Sequence, residues 1–140
     1  MMVLVDTPIW SLALRRRKEP LNAKEQTLTA ALAELIREGR AQLIGPIRQE
    51  LLSGIREENQ FRRLRDHLRA FNEIGLVVED YEEAARMSKQ CRARGVSNSS
   101  VDMLICAVAS RRRWQVFTND QDFLRYENEI GTGLYRFPAA

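Results

Sequence analysis

Short apolar runs and helical stripes alternate along this chain. Met2 to Val5, Ala41 to Ile44, Leu76 to Val78, Gln115 to Thr118 and Leu134 to Arg136 read as strands. The best of them are continuously apolar rather than alternating, as expected for strands buried on both faces of a parallel sheet. Between them, Leu28, Leu32, Leu35 and Ile36 form a stripe at helical spacing that runs out at Gly39, a suitable C-cap. Phe61, Leu64, Leu68 and Phe71 form a second stripe with arginines on the other side. Asp80 can cap a third helix, with Glu83 three residues on and Gly95 at its end. Val101, Leu104, Ile105 and Val108 make a fourth stripe. Strands alternating with helices predict an α/β domain around a parallel sheet. In such sheets ligands bind beyond the carboxyl ends of the strands, so polar residues just after a strand are candidates for chemistry.

Asp6 is such a residue, directly after the first strand. Thr7 can N-cap a helix with Pro8 at its first position, which leaves Asp6 without a capping duty. The stretch VFTNDQDF repeats the pattern: Thr118 can cap a helix with Gln121 at the N3 position, leaving Asp120 and Asp122 over. Glu50 lies in GPIRQELLSG, a helix opened by Gly45 and Pro46, about 60° to one side of the Ile47, Leu51 and Ile55 stripe. Gly54 falls on the same side, where a missing side chain allows close approach. Asp102 in SNSSVDML has a competing explanation: with Ser99 as N-cap it occupies N3 of a capping box, where the helix dipole also favours a carboxylate.

Composition adds constraints. A chain of 140 residues, 44% hydrophobic and 29% charged, fits one domain spanning 1–140 with a full core. No apolar stretch is long enough to span a bilayer, and the first strand begins too early to leave room for a signal peptide, which predicts a cytoplasmic protein. Cys91 and Cys106 sit among apolar neighbours and read as buried free thiols, forming neither a disulfide framework nor a zinc site. The net charge is +3, and the basic residues cluster at Arg15 to Lys18, at Arg62, Arg63, Arg65 and Arg69, and at Arg111 to Arg113. Such clusters suit a polyanion, or equally a set of solvated helix ends. Trp10 and Trp114 read as residues of the core edge or of a dimer surface. His67, the one histidine, lies off the apolar stripe of a basic helix with no carboxylate motif beside it.

The shared feature of the candidates is hard oxygen donors. Carboxylates forced together repel, and their pKa values rise unless a cation neutralises them. Mg²⁺ or Mn²⁺ suits such a set, since magnesium binds through a few carboxylates, waters and substrate phosphate oxygens. A metal held there can activate water for displacement at phosphorus.

The motifs VDTPIW, RQELLSG, VDMLICAVA and FTNDQDF, in this order and spacing over nearly the whole chain, resemble a PIN-domain ribonuclease, most closely the toxin of VapBC-type toxin–antitoxin pairs. The resemblance implies that Asp6, Glu50, Asp102 and Asp120 are catalytic metal-binding acids, with Asp122 as an auxiliary ligand and Thr118 as the supporting hydroxyl. It implies an α/β/α sandwich around a four- or five-stranded parallel sheet, and Mg²⁺- or Mn²⁺-dependent endonucleolytic cleavage of tRNA, rRNA or mRNA. It further implies homodimerisation and a cognate antitoxin whose tail enters the active site. Pro8 stands where these toxins often carry another small or polar residue, a departure that leaves the acidic motif intact.

Three alternatives stay open on the sequence. A nuclease of RNA maturation or decay would use the same chemistry without an antitoxin. A non-catalytic RNA- or protein-binding module on the same fold would show gaps in the carboxylate set, which looks complete. A phosphatase using Asp6 as nucleophile usually needs a second aspartate two residues on, where this chain has Pro8.

Overall fold

The structure is a computed structural model that describes residues 1–15, 19–71 and 73–137. Arg16, Arg17 and Lys18 of the first basic cluster lie outside the described residues. In chain order the elements are β1 (Val3–Val5), α1 (Thr7–Leu14), α2 (Ala23–Arg37), β2 (Ala41–Gln42), α3 (Gly45–Ser53), α4 (Glu58–Leu68), α5 (Val78–Ala93), α6 (Ser100–Arg112), β3 (Gln115–Phe117) and α7 (Asp122–Ile130).

The strands form a parallel sheet in the order β2-β1-β3, flanked by helices. Val3, Leu4 and Val5 are fully buried, which is why the central strand tolerates no polar residue on either face. Val3 pairs with Ala41 on one side and with Gln115 on the other, and Val5 pairs with Phe117. On one part of the molecule α6 packs against α5, β1 and β3, and α7 packs against α5; elsewhere α1 packs against α2 and α3, and α3 against α4.

Among the described residues the sheet has three strands rather than the expected four or five. The segment Leu134 to Arg136 contributes a single parallel bridge, Leu134 to Val116, and Leu43 makes another with Glu73. Leu76 to Val78 is not a strand. Asp80 at N3 accepts a hydrogen bond from the Val77 N–H at 2.9 Å, and α5 begins at Val78, two residues before the residue expected to cap it. A three-residue apolar run cannot by itself separate a strand from a helix start, and here the local carboxylate decides.

The other helical stripes appear where expected. Leu28, Leu32 and Leu35 are buried on α2, and Leu64 and Leu68 on α4. Gly39 and Gly95 follow α2 and α5 with φ of +70° and +72°, a left-handed conformation that a residue with a Cβ adopts only at a cost. The α6 pattern is broader than one stripe: every residue from Met103 to Ala109 is buried, because this helix is covered both by the sheet and by α5. Cys91 and Cys106 are buried free thiols. Trp10 is fully buried, and its Nε1 donates to the Val5 carbonyl at 2.9 Å.

Two arginines of the third basic cluster, Arg111 and Arg112, serve the fold. Asp80 is fully buried, and its carboxylate accepts from Arg111 Nη1 at 2.6 Å and from Arg112 Nη1 and Nη2 at 2.7 and 3.0 Å. The Arg112 hydrogen bond, against the cost of burial and reinforced by Val77 and Arg111, holds the Asp80 carboxyl well below the usual carboxylate range. These two arginines tie α6 to α5.

Candidate active site

Strand register makes the first part of the site. Val5 lies opposite Phe117, and the Asp6 N–H extends the ladder by donating to the Phe117 carbonyl at 2.9 Å. The next residues on each strand, Asp6 and Thr118, therefore arrive side by side at the carboxyl edge of the sheet. Thr118 Oγ1 donates to Asp6 Oδ2 at 2.8 Å, and the Thr7 N–H donates to Asp6 Oδ1 at 2.8 Å.

These bonds correct the expected capping. Asp6, not Thr7, is the N-cap of α1, and Thr7 is the first helical residue with Pro8 behind it. The Thr7 hydroxyl instead donates to Glu50 Oε2 at 2.9 Å. Likewise Thr118 does not cap α7, which starts at Asp122 after Gln121. While donating to Asp6, its hydroxyl accepts from the Asp120 N–H at 3.0 Å, and Asp120 Oδ1 accepts from the Asp122 N–H at 2.9 Å. The connection from β3 into α7 is thus held by two side-chain-to-backbone turns that present its aspartates.

Asp102 is half explained by capping. Ser99 is the N-cap of α6 and accepts from the Asp102 N–H at 3.1 Å. The reciprocal arm of a capping box is missing: Asp102 Oδ2 accepts from the Tyr126 hydroxyl at 2.9 Å. Capping accounts for the backbone at position 102 and leaves the carboxylate for another purpose.

Asp102, Asp120 and Asp122 each offer a carboxylate oxygen, and the three atoms lie within 4.8 Å of one another. Asp122, expected only as an auxiliary, belongs to this tight group. Asp6 is 5% exposed, and burial pushes its carboxyl up to about 6, against the lowering effect of Thr118 and Thr7 and with the help of negative charge on Asp102 and Asp120. Burial also raises Asp102, opposed by Tyr126 and reinforced by Asp120 and Asp122. Glu50 is exposed and stands outside the tight group, joined to Asp6 only through Thr7.

Little within the protein neutralises these acids. Among the described residues their one ion pair is Arg125 with Asp122 at 3.9 Å, and Asp6, Asp102 and Asp120 have none. Hard oxygen donors, converging with uncompensated charge, fit a divalent cation of the Mg²⁺ or Mn²⁺ type. Behind them burial pushes the Cys106 thiol up to about 12, so it stays protonated and inert. His67 stacks on Phe71 at 6.1 Å and makes no hydrogen bond to the acids among the described residues.

Sequence reasoning missed Tyr126 and the role of Thr7. The available signal was chemical: a tyrosine buried on an apolar stripe, here 1% exposed, needs a partner for its hydroxyl. Nothing near it in the chain names Asp102 as that partner.

The fold occurs in known structures. FitAcB from Neisseria gonorrhoeae matches with a TM-score of 0.74 at 20% identity, over 96% of this chain and 97% of that one. VapBC2 from Rickettsia felis, bound to a DNA fragment from its promoter, matches with a TM-score of 0.76 at 17% identity, over 99% and 100%. A toxin–antitoxin complex from Klebsiella pneumoniae matches at 0.66 and 20% identity, over 86% and 89%. No curated protein matches the chain in sequence. The family model for the PIN domain matches residues 3–129, which takes in every acid of the site. The chain belongs to the PIN domain family.

Proposed function

We propose that this chain is a metal-dependent endoribonuclease that hydrolyses RNA phosphodiester bonds, acting as the toxin of a toxin–antitoxin pair. The observation that carries the reading is the convergence of Asp6, Asp102, Asp120 and Asp122 at the carboxyl edge of the sheet, where among the described residues only the long Arg125–Asp122 contact sets a protein cation against them. Asp102, Asp120 and Asp122, with Asp6 beside them, would hold Mg²⁺ or Mn²⁺. When bound, that ion supplies Lewis acidity toward water and phosphate oxygens.

The chain's own residues prepare the site. Thr118 orients Asp6 and fixes the Asp120 backbone with the same hydroxyl, and Tyr126 orients Asp102. Thr7 tethers Glu50 through Oε2, leaving Oε1 to accept a hydrogen bond from a water at the rim. The PIN fold and its occurrence in FitAcB, VapBC2 and a toxin–antitoxin complex support an antitoxin partner, and the resemblance adds a homodimer.

The test is cleavage of tRNA, rRNA and mRNA by purified protein with Mg²⁺ or Mn²⁺, with EDTA, and by Asp6→Asn. Cleavage that needs metal and is lost in the variant is expected. Equal cleavage by both proteins, with or without chelator, would overturn the mechanism.

A further inference from the structure

A second concavity lies along the same pair of helices that carries Asp6 and Glu50. It has a volume of about 260 Å³ and lies where the ends of α1 and α3 meet α4. Its polar lining is Arg15, Gln60, Arg63 and His67, over an apolar floor of Leu14, Ile55 and Leu64. No acid lines it.

Arg15 is held in place rather than trailing into solvent. Its Nη2 donates to the Gly54 carbonyl at 2.9 Å. A Cβ at residue 54 would stand 3.2 Å from both terminal nitrogens, so the absent side chain expected to allow close approach is used by this guanidinium. Gly54 follows Glu50 by one helical turn, about 6 Å along α3. The concavity therefore opens one turn from the rim acid of the candidate active site.

The two arginines facing it have no ion pair among the described residues, unlike their neighbours on α4. On α4, Arg62 pairs with Glu58 and Arg65 with Asp66, both within 3.2 Å. Arg63, between them in sequence, has no ion pair among the described residues, and neither does Arg15. The two arginines lining this concavity keep their charge for an outside anion. His67, parallel to Phe71 within 20°, adds a flat aromatic wall of the kind on which bases stack.

We propose that this concavity is a nucleotide subsite for the RNA strand beside the bond to be cut. Arg15 and Arg63 take a phosphate, and a base lies on the apolar floor against His67. Charge favours this occupant: two guanidiniums without an ion pair among the described residues face the concavity, whereas a partner helix would seek a groove of apolar side chains. The inference rests on the RNA-cleaving reading of the neighbouring acids.

The test separates binding from cleavage. A short fluorescein-labelled single-stranded RNA of mixed sequence is titrated with the full chain in EDTA, read by anisotropy at several salt concentrations. Arg15→Gln/Arg63→Gln is compared with Lys24→Gln/Lys89→Gln, which loses the same charge from exposed sites elsewhere. The pocket variant is expected to bind about tenfold more weakly, with the log–log salt slope shallower by about 0.7, the value for one phosphate contact on a single strand. His67→Ala, which keeps both arginines, is expected to lose about fivefold. With metal present, KM on a longer RNA rises while kcat is kept. Equal weakening in the two double variants, no effect in either, or no RNA binding by the wild-type chain overturns the subsite. A wild-type chain that cleaves while the double variants bind alike loses the subsite only; one that binds through the pocket and never cleaves loses the nuclease reading only.

Discussion

Thr118 and Asp6 stand 112 residues apart in the chain and 2.8 Å apart in the fold, hydroxyl to carboxylate. The same hydroxyl accepts from the Asp120 N–H, so one oxygen couples two of the acids. Thr118→Val, which keeps the shape and removes the hydroxyl, is expected to weaken Mn²⁺ binding roughly 10–100-fold, and Thr118→Ser to restore most of it. Titration calorimetry with Mn²⁺ on the three proteins checks this without reference to activity.

Asp6 makes the metal-free fold sensitive to pH. Its carboxyl is raised from 3.8 to about 6 in the folded chain, chiefly by burial, so the fold binds this proton more tightly than the unfolded chain does. The contribution is fully present below pH 3.8 and is lost as pH rises through 6, an effect of up to about 3 kcal/mol. Asn caps helices as well as Asp, so Asp6→Asn is expected to be more stable than the wild-type chain at pH 7.5 in EDTA and to lose that advantage near pH 4. Urea titrations at the two pH values measure it. Added Mn²⁺ should reverse the order at pH 7.5.

Asp80 carries the opposite sign. Its carboxyl is lowered by Arg112 and then Arg111, so it stabilises the fold above the ordinary value of 3.8, and that contribution is lost as pH falls through its lower folded value. Asp80→Ala is expected to cost about 3 kcal/mol at pH 7, since it leaves Arg111 and Arg112 partly buried without their partner. The deficit should shrink in acid. Thermal melts of both proteins from pH 7 to pH 2 would expose an error in this assignment if the gap stayed constant.

Tyr126→Phe removes the hydrogen bond to Asp102 and nothing else in the aromatic packing, where Tyr126 meets Phe123 edge-on at 5.0 Å. Stability is expected to fall by about 1 kcal/mol and Mn²⁺ affinity by roughly tenfold. An affinity unchanged from wild type would make the tyrosine structural only.

The sheet and most helices were legible because burial leaves a local pattern. Val3 to Val5 are continuously apolar and run straight into a helix opened by Pro8, which fits a strand buried on both faces, and the glycines after α2 and α5 mark their own helix ends. The acids were legible as polar residues just past strands. What failed was the division of labour among them. From the sequence, a threonine followed by proline looks like the cap and an aspartate like the spare, because only local partners are visible. In the fold Thr7 finds Glu50, 43 residues away, and Thr118 finds Asp6, so the capping falls to Asp6 or to no side chain. Tyr126 escaped for the same reason: its partner is set by the packing of α7 near α6, which no window of sequence contains. The Leu76 to Val78 segment failed differently, because Asp80 turns a strand-like composition into a helix start.

The pairing of Val5 with Phe117 also sets where this chain can change length. One residue inserted between Gln115 and Thr118 would bring a phenylalanine ring to the place of the hydroxyl beside Asp6, and one deleted would bring Asn119. The connections between α4 and α5 carry none of the site's acids, so a longer or shorter segment there leaves every carboxylate opposite its partner. Among related chains, size differences should accumulate in such connections, while the step from β3 to Asp120 keeps its count.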